Sequence, residues 1–342
     1  MSVISNATIS KIPGISETRH LEIKFSPNLE VRSNSFKSAT KIRTLIISHN
    51  RIINKIYRNS FQDLPVHSLK LTNNSISSIF PRAFSNLSLL EALQVDYNNL
   101  QEIPTGVFVN LPVKSLKLSH NKIFTIKNAA LEDLSNLNKL MLDHNNLETI
   151  FLHKILKYPQ RLEILWLHNN SLTAVSNYML LKMNNLKILN LGFNPLTSIE
   201  PNSFSQTPKL NYLVLTNTHL KEIDGNVFPR TGMDYLENMY LDNSKLMYLK
   251  SNFFVGLGSL RKVTLVGNPW LCPCLTAVER ILAENNVREM CAEAYTNGSR
   301  PICVNDQVNN ECKPIYNEAL SEKYERYKTE HPFYTPTINC IL

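Results

Sequence analysis

The sequence predicts an α/β solenoid, a coil of repeated strands and return segments with one parallel β-sheet along its side. Three observations lead to this fold class. An apolar register recurs along most of the 342 residues, a large apolar side chain follows each copy at a fixed distance, and all six cysteines lie in the last quarter. Recurrence at a fixed period is typical of repeat proteins, whose neighbouring coils bury one continuous core.

The register reads Leu-x-x-Leu-x-Leu-x-x-Asn, and we take its second apolar position as the marker of each repeat. Successive markers lie 23 to 26 residues apart: Leu45, Leu69, Leu93, Leu116, Leu140, Leu165, Leu189, Leu213, Met239 and Val263. An earlier, shorter copy with Ile23, Phe25, Asn28 and Phe36 brings the count to eleven. This period predicts a leucine-rich-repeat solenoid, a horseshoe whose concave side is the parallel sheet.

The strand of each repeat is predicted from alternation, because segments such as LKLSHN place apolar and polar side chains on opposite faces. An asparagine follows each marker by five residues, and its amide can satisfy the backbone of its own turn and of the next coil. These residues are Asn50, Asn74, Asn98, Asn121, Asn145, Asn170, Asn194 and Asn268, and Thr218 and Ser244 replace asparagine in two copies. We expect looser turns at those two.

The return side of each repeat carries a large apolar residue, which we interpret as a packing column. Its members are Phe61, Phe84, Phe108, Leu131, Ile155, Leu180, Phe204, Phe228 and Phe254. The predicted organisation is an edge segment over 1–19, the solenoid over 20–268, and a cap with a tail over 269–342. Within the tail, the stretch YNEALSEKYERYK predicts a short helix.

The cysteines predict a disulfide-stapled cap, because their number is even and they cluster after the last repeat. They are Cys272, Cys274, Cys291, Cys303, Cys312 and Cys340. A structural zinc site is the competing interpretation, and the absence of Cys-x-x-Cys spacing disfavours it. The residues alone leave the pairing open.

The segment GNPWLCPC, Gly267 to Cys274, resembles the start of the C-terminal cysteine-rich cap of extracellular leucine-rich-repeat proteins. Insect leucine-rich immune proteins, Toll-type receptor ectodomains and connectin-like adhesion proteins carry this module. The resemblance implies that Cys272 pairs with Cys291 and Cys274 with Cys303, which leaves Cys312 and Cys340 to close the tail. The chain departs from the family in having no cysteine before Cys272, so no N-terminal disulfide covers the first coil.

Export is the expected route for this chain, because the cysteine cap coincides with five Asn-x-Ser/Thr sequons. The sequons begin at Asn6, Asn73, Asn86, Asn169 and Asn297. The first twenty residues do not form a signal peptide, so we expect either a cytosolic protein or one whose leader has been removed. No apolar run is long enough to predict a membrane span.

Ligand binding is predicted on the concave face, where the outward positions of the strands form a central column. The column runs Lys24, Ile46, Lys70, Gln94, Lys117, Met141, Trp166, Asn190, Val214, Tyr240 and Thr264. Its first half is basic and its second half is apolar and aromatic, with Phe193 and Tyr212 beside it. Grouped outward aromatic residues indicate a binding face. Our candidate ligand-binding residues are Met141, Trp166, Phe193, Tyr212, Val214, Tyr240, Lys70 and Lys117.

Four histidines lie near strand ends: His49, His120, His144 and His168. His120 and His144 occupy the same position in successive coils, so we expect them about one strand spacing apart, roughly 5 Å. With Asp143 they could bind a metal or respond to mild acid, but most such histidines are exposed polar residues. We therefore assign no metal ligand and no cofactor.

The sequence favours a secreted recognition protein, in innate immunity, that binds a protein or glycan on its concave face. An adhesion or receptor ectodomain is the alternative, and an intracellular enzyme inhibitor is a remote one. We expect no enzyme, because no nucleophile elbow, phosphate loop or zinc-protease motif occurs. A net charge of +8 favours acidic partners. Nucleic acid is not expected, since the basic half lacks interleaved aromatic residues.

Overall fold

The computed structural model describes residues 3–4, 6–26, 30–50, 54–290, 303–305 and 311–330. The chain divides into two compact units, the first comprising residues 1–171 and 181–183 and the second residues 172–180 and 184–342. Each unit is a parallel-strand solenoid, so the predicted leucine-rich-repeat architecture is confirmed. No helix among these residues is both long and apolar enough to cross a bilayer.

The first unit has a parallel sheet in which each repeat contributes one strand. Its strands are His20–Lys24, Thr44–Ser48, Ser68–Lys70, Ala92–Gln94, Ser115–Lys117, Lys139–Met141 and Ile164–Trp166. Short strands pair on the return side: Lys55–Ile56 with Ser78–Ile79, Phe61–Gln62 with Phe84–Ser85, Phe84–Ser85 with Phe108–Val109, and Glu102–Ile103 with Thr125–Ile126. Val3–Ile4 pairs with Glu30–Val31, and the remaining turns are helical at Asn6–Ile9, Leu152–Ile155 and Pro159–Arg161.

The second unit repeats this plan. Its sheet strands are Ile188–Asn190, Tyr212–Val214, Asn238–Tyr240, Lys262–Thr264 and Arg288–Glu289, all parallel. Ala174–Val175 pairs with Ser198–Ile199 on the return side, and Gly225–Val227 forms a 3-10 turn. Two helices follow the last full repeat, the cap helix Cys272–Glu284 and the tail helix Glu318–Glu330. The predicted tail helix is therefore confirmed.

The register of the first repeat differs from the prediction by two residues. Leu21 pairs with Leu45, so Leu21 is the marker and Ile23 is not. Glu22, rather than Lys24, stands in the central column, because Glu22 pairs with Ile46. The amide of Ser26 donates to Asn50 Oδ1 at 2.8 Å, so Ser26 occupies the asparagine position. Serine in place of the ladder asparagine hid this shift, and Asn28 lies outside the described residues.

The repeat asparagines form the predicted ladder of buried amides. Asn145 shows the pattern: Nδ2 donates to the carbonyls of Leu118, Leu142 and Asp143 at 3.0, 3.0 and 3.1 Å. Its Oδ1 accepts from the amide of Ile123 at 2.9 Å. The ladder thus joins neighbouring coils through groups that would otherwise be buried unsatisfied.

The two copies without asparagine replace the amide with a hydroxyl pair. Thr218 Oγ1 and Ser244 Oγ lie 2.8 Å apart, and Ser244 Oγ donates to the carbonyl of Leu215 at 3.2 Å. A hydroxyl has one donor hydrogen where an amide has two, so these side chains can donate fewer bonds to the preceding coil.

The return-side column is a stack of buried rings in each unit. Phe61 lies between Phe36 and Phe84 with centroid distances of 5.9 and 5.5 Å, and Phe84 stacks on Phe108 at 5.7 Å. In the second unit Phe204 stacks on Phe228 at 5.5 Å, and Phe253 meets Phe228 edge-on at 5.9 Å. The last position was predicted as Phe254. Phe253 fills it instead and is fully buried, because the arc before it is one residue shorter than the spacing assumed.

The cap is stapled by disulfides, but their pairing corrects the one implied by the resemblance. Cys272 is bonded to Cys303 and Cys274 to Cys312. The cause is a short parallel bridge between Leu271 and Val304, which places Cys303 beside the start of the cap helix. Cys291 and Cys340 lie outside the described residues.

The tail helix is anchored on the second unit beside the staple. Cys312, Tyr316 and Leu320 pack against a buried cluster that includes Met247 and Cys274. Lys221 forms an ion pair with Glu318 at 2.6 Å. The tail from 313 to 330 therefore extends the cap over the apolar end of the last repeats.

Candidate functional site

The position directly before each ladder asparagine has a left-handed backbone. Its φ is 52 to 58° at Phe25, His49, Asn73, Tyr97, His120, His144, Asn169, Phe193, Asn217 and Asn243. Asparagine and histidine adopt this conformation more readily than other residues, whereas a bulky aromatic residue is strained there. The turn itself therefore does not account for the aromatic residues Phe25, Tyr97 and Phe193 at this position.

Four rings of the first unit form a continuous stack at this edge of the sheet, and we call Tyr97, His120, His144 and His168 the ring stack. The centroids of Tyr97 and His120 are 4.1 Å apart, and those of His120 and His144 are 3.9 Å apart. His168 meets His144 edge-on at 5.2 Å. The expected proximity of His120 and His144 is confirmed.

Tyr97 was not among the functional residues predicted from the sequence. The signal that could have found it is its place four residues after the marker Leu93, the same offset as His120 and His144 from theirs. The Tyr97 side chain is 49% exposed, so the stack ends in a ring that a ligand can reach.

The ring stack leads to the central column at Trp166, whose ring lies 6.0 Å from that of His168. Lys139 Nζ lies 5.3 Å from the Trp166 centroid, and Lys117 Nζ lies 6.0 Å from that of Tyr97. The first unit thus presents half-buried aromatic rings with cations beside their faces, a composition common in binding sites.

The positive charge predicted for the first half of the concave face is partly neutralised by ion pairs. Lys117 contacts the buried carboxylate of Asp96 at 2.8 Å, and Lys114 contacts Glu91 at 3.1 Å. Burial opposes the charge of Lys117, but its hydrogen bond to Asp96 and the attraction of that carboxylate raise its pKa above the ordinary value. Lys117 is therefore a fixed positive charge held on the sheet face.

Asp143 is the carboxylate inside the ring stack. It is buried, and its Oδ1 accepts the hydroxyl of Ser119 at 2.6 Å. Its Oδ2 lies 3.1 Å from His144 Nδ1 and 3.8 Å from His168 Nε2. Burial lowers the pKa values of His120 and His168 below the ordinary histidine value. The ligand atoms of His120, Asp143 and His144 lie within 4.8 Å of one another, so these three side chains could together hold a metal ion.

The candidate ligand-binding residues divide into accessible and covered side chains. Lys70, Lys117 and Trp166 are half-buried, and Phe193 and Tyr212 are 36% and 38% exposed. Met141, Val214 and Tyr240 are 5 to 6% exposed, so the prediction that they face solvent is wrong. Strands lie about 4.8 Å apart, so a side chain that leaves the sheet is covered by those of adjacent strands.

Tyr240 illustrates this covering, since it pairs with Val214 on one side and Thr264 on the other. Burial raises the pKa of its hydroxyl, with smaller contributions from Tyr212 and Asp242. Tyr240 is a packed residue of the sheet face, and the accessible aromatic residue of its neighbourhood is Tyr212.

Two of the predicted glycosylation sites have exposed asparagines, Asn73 and Asn86, and Asn169 is half-buried. In two sequons the middle residue is a buried ladder asparagine, Asn74 or Asn170. Asn6 lies in the short N-terminal helix, and Asn297 lies outside the described residues. Glycan attachment stays a prediction.

Comparison with known proteins bears on both the repeats and the fold. A family model described as leucine rich repeat matches residues 65–113 and 160–220. A comparison with curated protein sequences finds no match.

Several solved structures share the fold. The leucine-rich repeat domain of APL1B superposes with a TM-score of 0.59 at 23% identity, covering 79% of this chain and 73% of that one. A structure of the Toll–Spatzle complex, titled a molecular hub in Drosophila development and innate immunity, gives 0.60 at 21% identity, covering 75% of this chain and 39% of that one. A chain from an octameric complex of latrophilin 3, Unc5D and FLRT2 gives 0.53 at 20%, covering 88% and 89%. At these identities the likeness shows the fold alone.

Proposed function

We propose that this leucine-rich-repeat protein is an extracellular recognition protein that binds a protein ligand through the sheet face of its repeats. The observation that carries the proposal is the ring stack with Trp166. Rings at Tyr97, His120 and His144 stand on left-handed backbone, and the tyrosine is strained there. Strain that the turn itself does not need is characteristic of functional sites.

The composition of the sheet face favours a protein ligand over a polyanion that would be bound by charge alone. Lys117 is already paired with Asp96, so less free positive charge is available for a polyanion than the sequence suggested. Half-buried aromatic side chains flanked by cations match the centres of protein–protein interfaces, where tryptophan, tyrosine and arginine dominate the binding energy. A glycan, which also stacks on aromatic rings, is the other ligand class that this face could accept.

The finer parts of the proposal are secretion and a role in innate immunity. Disulfide staples in the cap support an oxidising compartment. The similar structures include APL1B and the complex of Toll with Spatzle, which is described as a hub in Drosophila development and innate immunity. An adhesion or receptor ectodomain is the alternative role, supported by the likeness to the complex that contains FLRT2. In either role the chain acts by binding and not by catalysis.

Affinity capture tests the binding face. Wild-type protein, Trp166→Asp and Phe124→Asp are immobilised and exposed to extracellular fluid of the source organism. Phe124 is the matched control, because it is 56% exposed but precedes the return strand Thr125–Ile126. A partner held by the wild type and by Phe124→Asp, and lost from Trp166→Asp, is the expected result. Equal retention by both variants would contradict a site on the sheet face.

Compartment is tested separately by thiol labelling of native protein from its source. The expected result is no label before reduction and six labelled cysteines after it. Six reactive thiols in the unreduced native protein would contradict an extracellular role and favour the intracellular inhibitor.

A further inference from the structure

We propose that His120, His144 and Asp143 form a binding site for a divalent transition-metal ion such as Zn²⁺. This site shares His120 and His144 with the ring stack, but it does not depend on a protein ligand and its test requires no partner. The donor set is two imidazole nitrogens and one carboxylate oxygen, all within 4.8 Å of one another. Nitrogen-rich sets select zinc and its neighbours, whereas calcium and magnesium require oxygen ligands.

The backbone fixes both histidines in matching positions. Their markers Leu116 and Leu140 are paired in adjacent strands, and both histidines have left-handed φ values, 52° and 54°. The His120 amide donates to the carbonyl of Asp143 at 3.0 Å, and the His144 amide donates to that of His168 at 2.9 Å. The backbone positions of the two histidines are therefore fixed by the coil, and only their side chains need to adjust to a metal ion.

Asp143 is oriented toward the imidazoles by its neighbours. The Ser119 hydroxyl holds Oδ1 at 2.6 Å, which leaves Oδ2 directed at His144 and His168. A ligand fixed by an outer hydrogen bond is typical of protein metal sites. His168 Nε2 also lies 3.8 Å from Oδ2, outside the three-residue donor set.

Metal binding requires only a local adjustment. Donors around tetrahedral zinc lie roughly 3.3 Å apart, given metal–nitrogen distances of about 2.0 Å. The present separations of up to 4.8 Å must therefore close by about 1.5 Å, which rotation of the imidazoles about their side-chain bonds can supply. His120 and His144 are both partly exposed, so an ion can enter, and water can complete its coordination.

The register offers substitutions that remove a donor without disturbing the turn. Asparagine occupies the same left-handed position at Asn73, Asn169, Asn217 and Asn243. His120→Asn and His144→Asn therefore delete an imidazole while keeping a residue suited to the backbone. His49→Asn is the matched control, because His49 has a φ of 58° at the same register position but stacks on Phe25, outside the cluster.

The experiment is titration of metal-free full-length protein with Zn²⁺ alone by calorimetry, with Co²⁺ absorption as a coordination probe and Ca²⁺ as a negative control. We expect saturable binding of one Zn²⁺, a visible Co²⁺ band, and no response to Ca²⁺. His120→Asn and His144→Asn should each weaken Zn²⁺ binding at least tenfold, and His49→Asn should leave it unchanged. Circular dichroism confirms that each variant is folded.

Two results would overturn the proposal. One is the absence of saturable Zn²⁺ binding to the wild type. The other is equal binding by the wild type and the double variant His120→Asn/His144→Asn, which would place the ion on other histidines or on thiols. Asp143→Asn keeps an oxygen for the Ser119 hydroxyl and removes the charge, so weakened binding in that variant confirms the carboxylate as a ligand.

Discussion

Replacement of one ladder asparagine tests whether these amides hold neighbouring coils together. In Asn145→Ala, three buried carbonyls each lose a hydrogen bond. Each keeps a second donor: Asn121 for Leu118, Asn170 for Leu142 and the His120 amide for Asp143. The amide of Ile123 loses the oxygen that it contacts at 2.9 Å. One orphaned buried N–H costs about 1–3 kcal/mol and each of the three weakened carbonyls about 0.5–1 kcal/mol, so we expect a loss of about 2.5–6 kcal/mol.

Urea unfolding followed by circular dichroism measures this loss, and Asn146→Ala is the control. Asn146 is an asparagine one position along, but its side chain is exposed, so its removal should change the unfolding free energy by less than about 0.5 kcal/mol. Amide hydrogen exchange gives a second readout, because Ile123 should lose protection only in Asn145→Ala. Equal stability of the two variants, with Ile123 still protected, would refute the ladder as a source of stability.

Three further predictions concern the sheet face and the cap. Burial, with the nearby charge of Glu279, raises the pKa of Glu289 to about 7. The folded state therefore holds this proton more tightly than the unfolded state, and stability should fall by roughly 1–2 kcal/mol, after allowance for solvent screening, as pH rises from about 4.5 through 7. Urea titrations at several pH values should show this slope in the wild type and not in Glu289→Gln. Tyr240→Asp should lower the unfolding free energy by at least about 3 kcal/mol, whereas Tyr212→Asp, at an exposed site, should change it by less than about 1 kcal/mol. Tyr97→Asn should change thermal stability little, because relief of backbone strain offsets a lost ring contact of about 1 kcal/mol, but it should weaken partner binding at least tenfold.

Most of the fold was predictable, because the apolar register reports the strand, the turn and the return side together. The pairing of Leu93 with Leu69 and Leu116, and the burial of Asn98, follow directly from a period near 24 residues. The register fails where repeats become irregular. The first repeat has Ser26 in place of its asparagine, and Phe253 ends an arc that is one residue shorter than most others, so the prediction misplaced both ends.

The candidate site was less predictable, because the direction in which a side chain leaves its strand does not determine how much of it is exposed to solvent. Alternation correctly placed Met141, Val214 and Tyr240 on the side of the strand that faces away from the core. It could not report that side chains on adjacent strands cover them, because that depends on the volumes of residues some 24 positions away. Disulfide pairing failed for a similar reason, since the bridge between Leu271 and Val304 leaves no pattern in the spacing of cysteines.

The left-handed position connects the two proposals. Its backbone requirement favours asparagine or glycine, and five of the eleven described positions meet it in that way, at Asn73, Asn169, Asn217, Asn243 and Gly267. An aromatic ring at this position, four residues after the marker, therefore needs a functional reason. That reason differs between histidine and tyrosine. Histidine tolerates the conformation and adds a metal donor, which fits the pair His120 and His144. Tyrosine adds only a surface, and Tyr97 presents that surface at the exposed end of the stack. A repeat protein can thus carry a metal site and a recognition surface on one column of turns without altering the core beneath them.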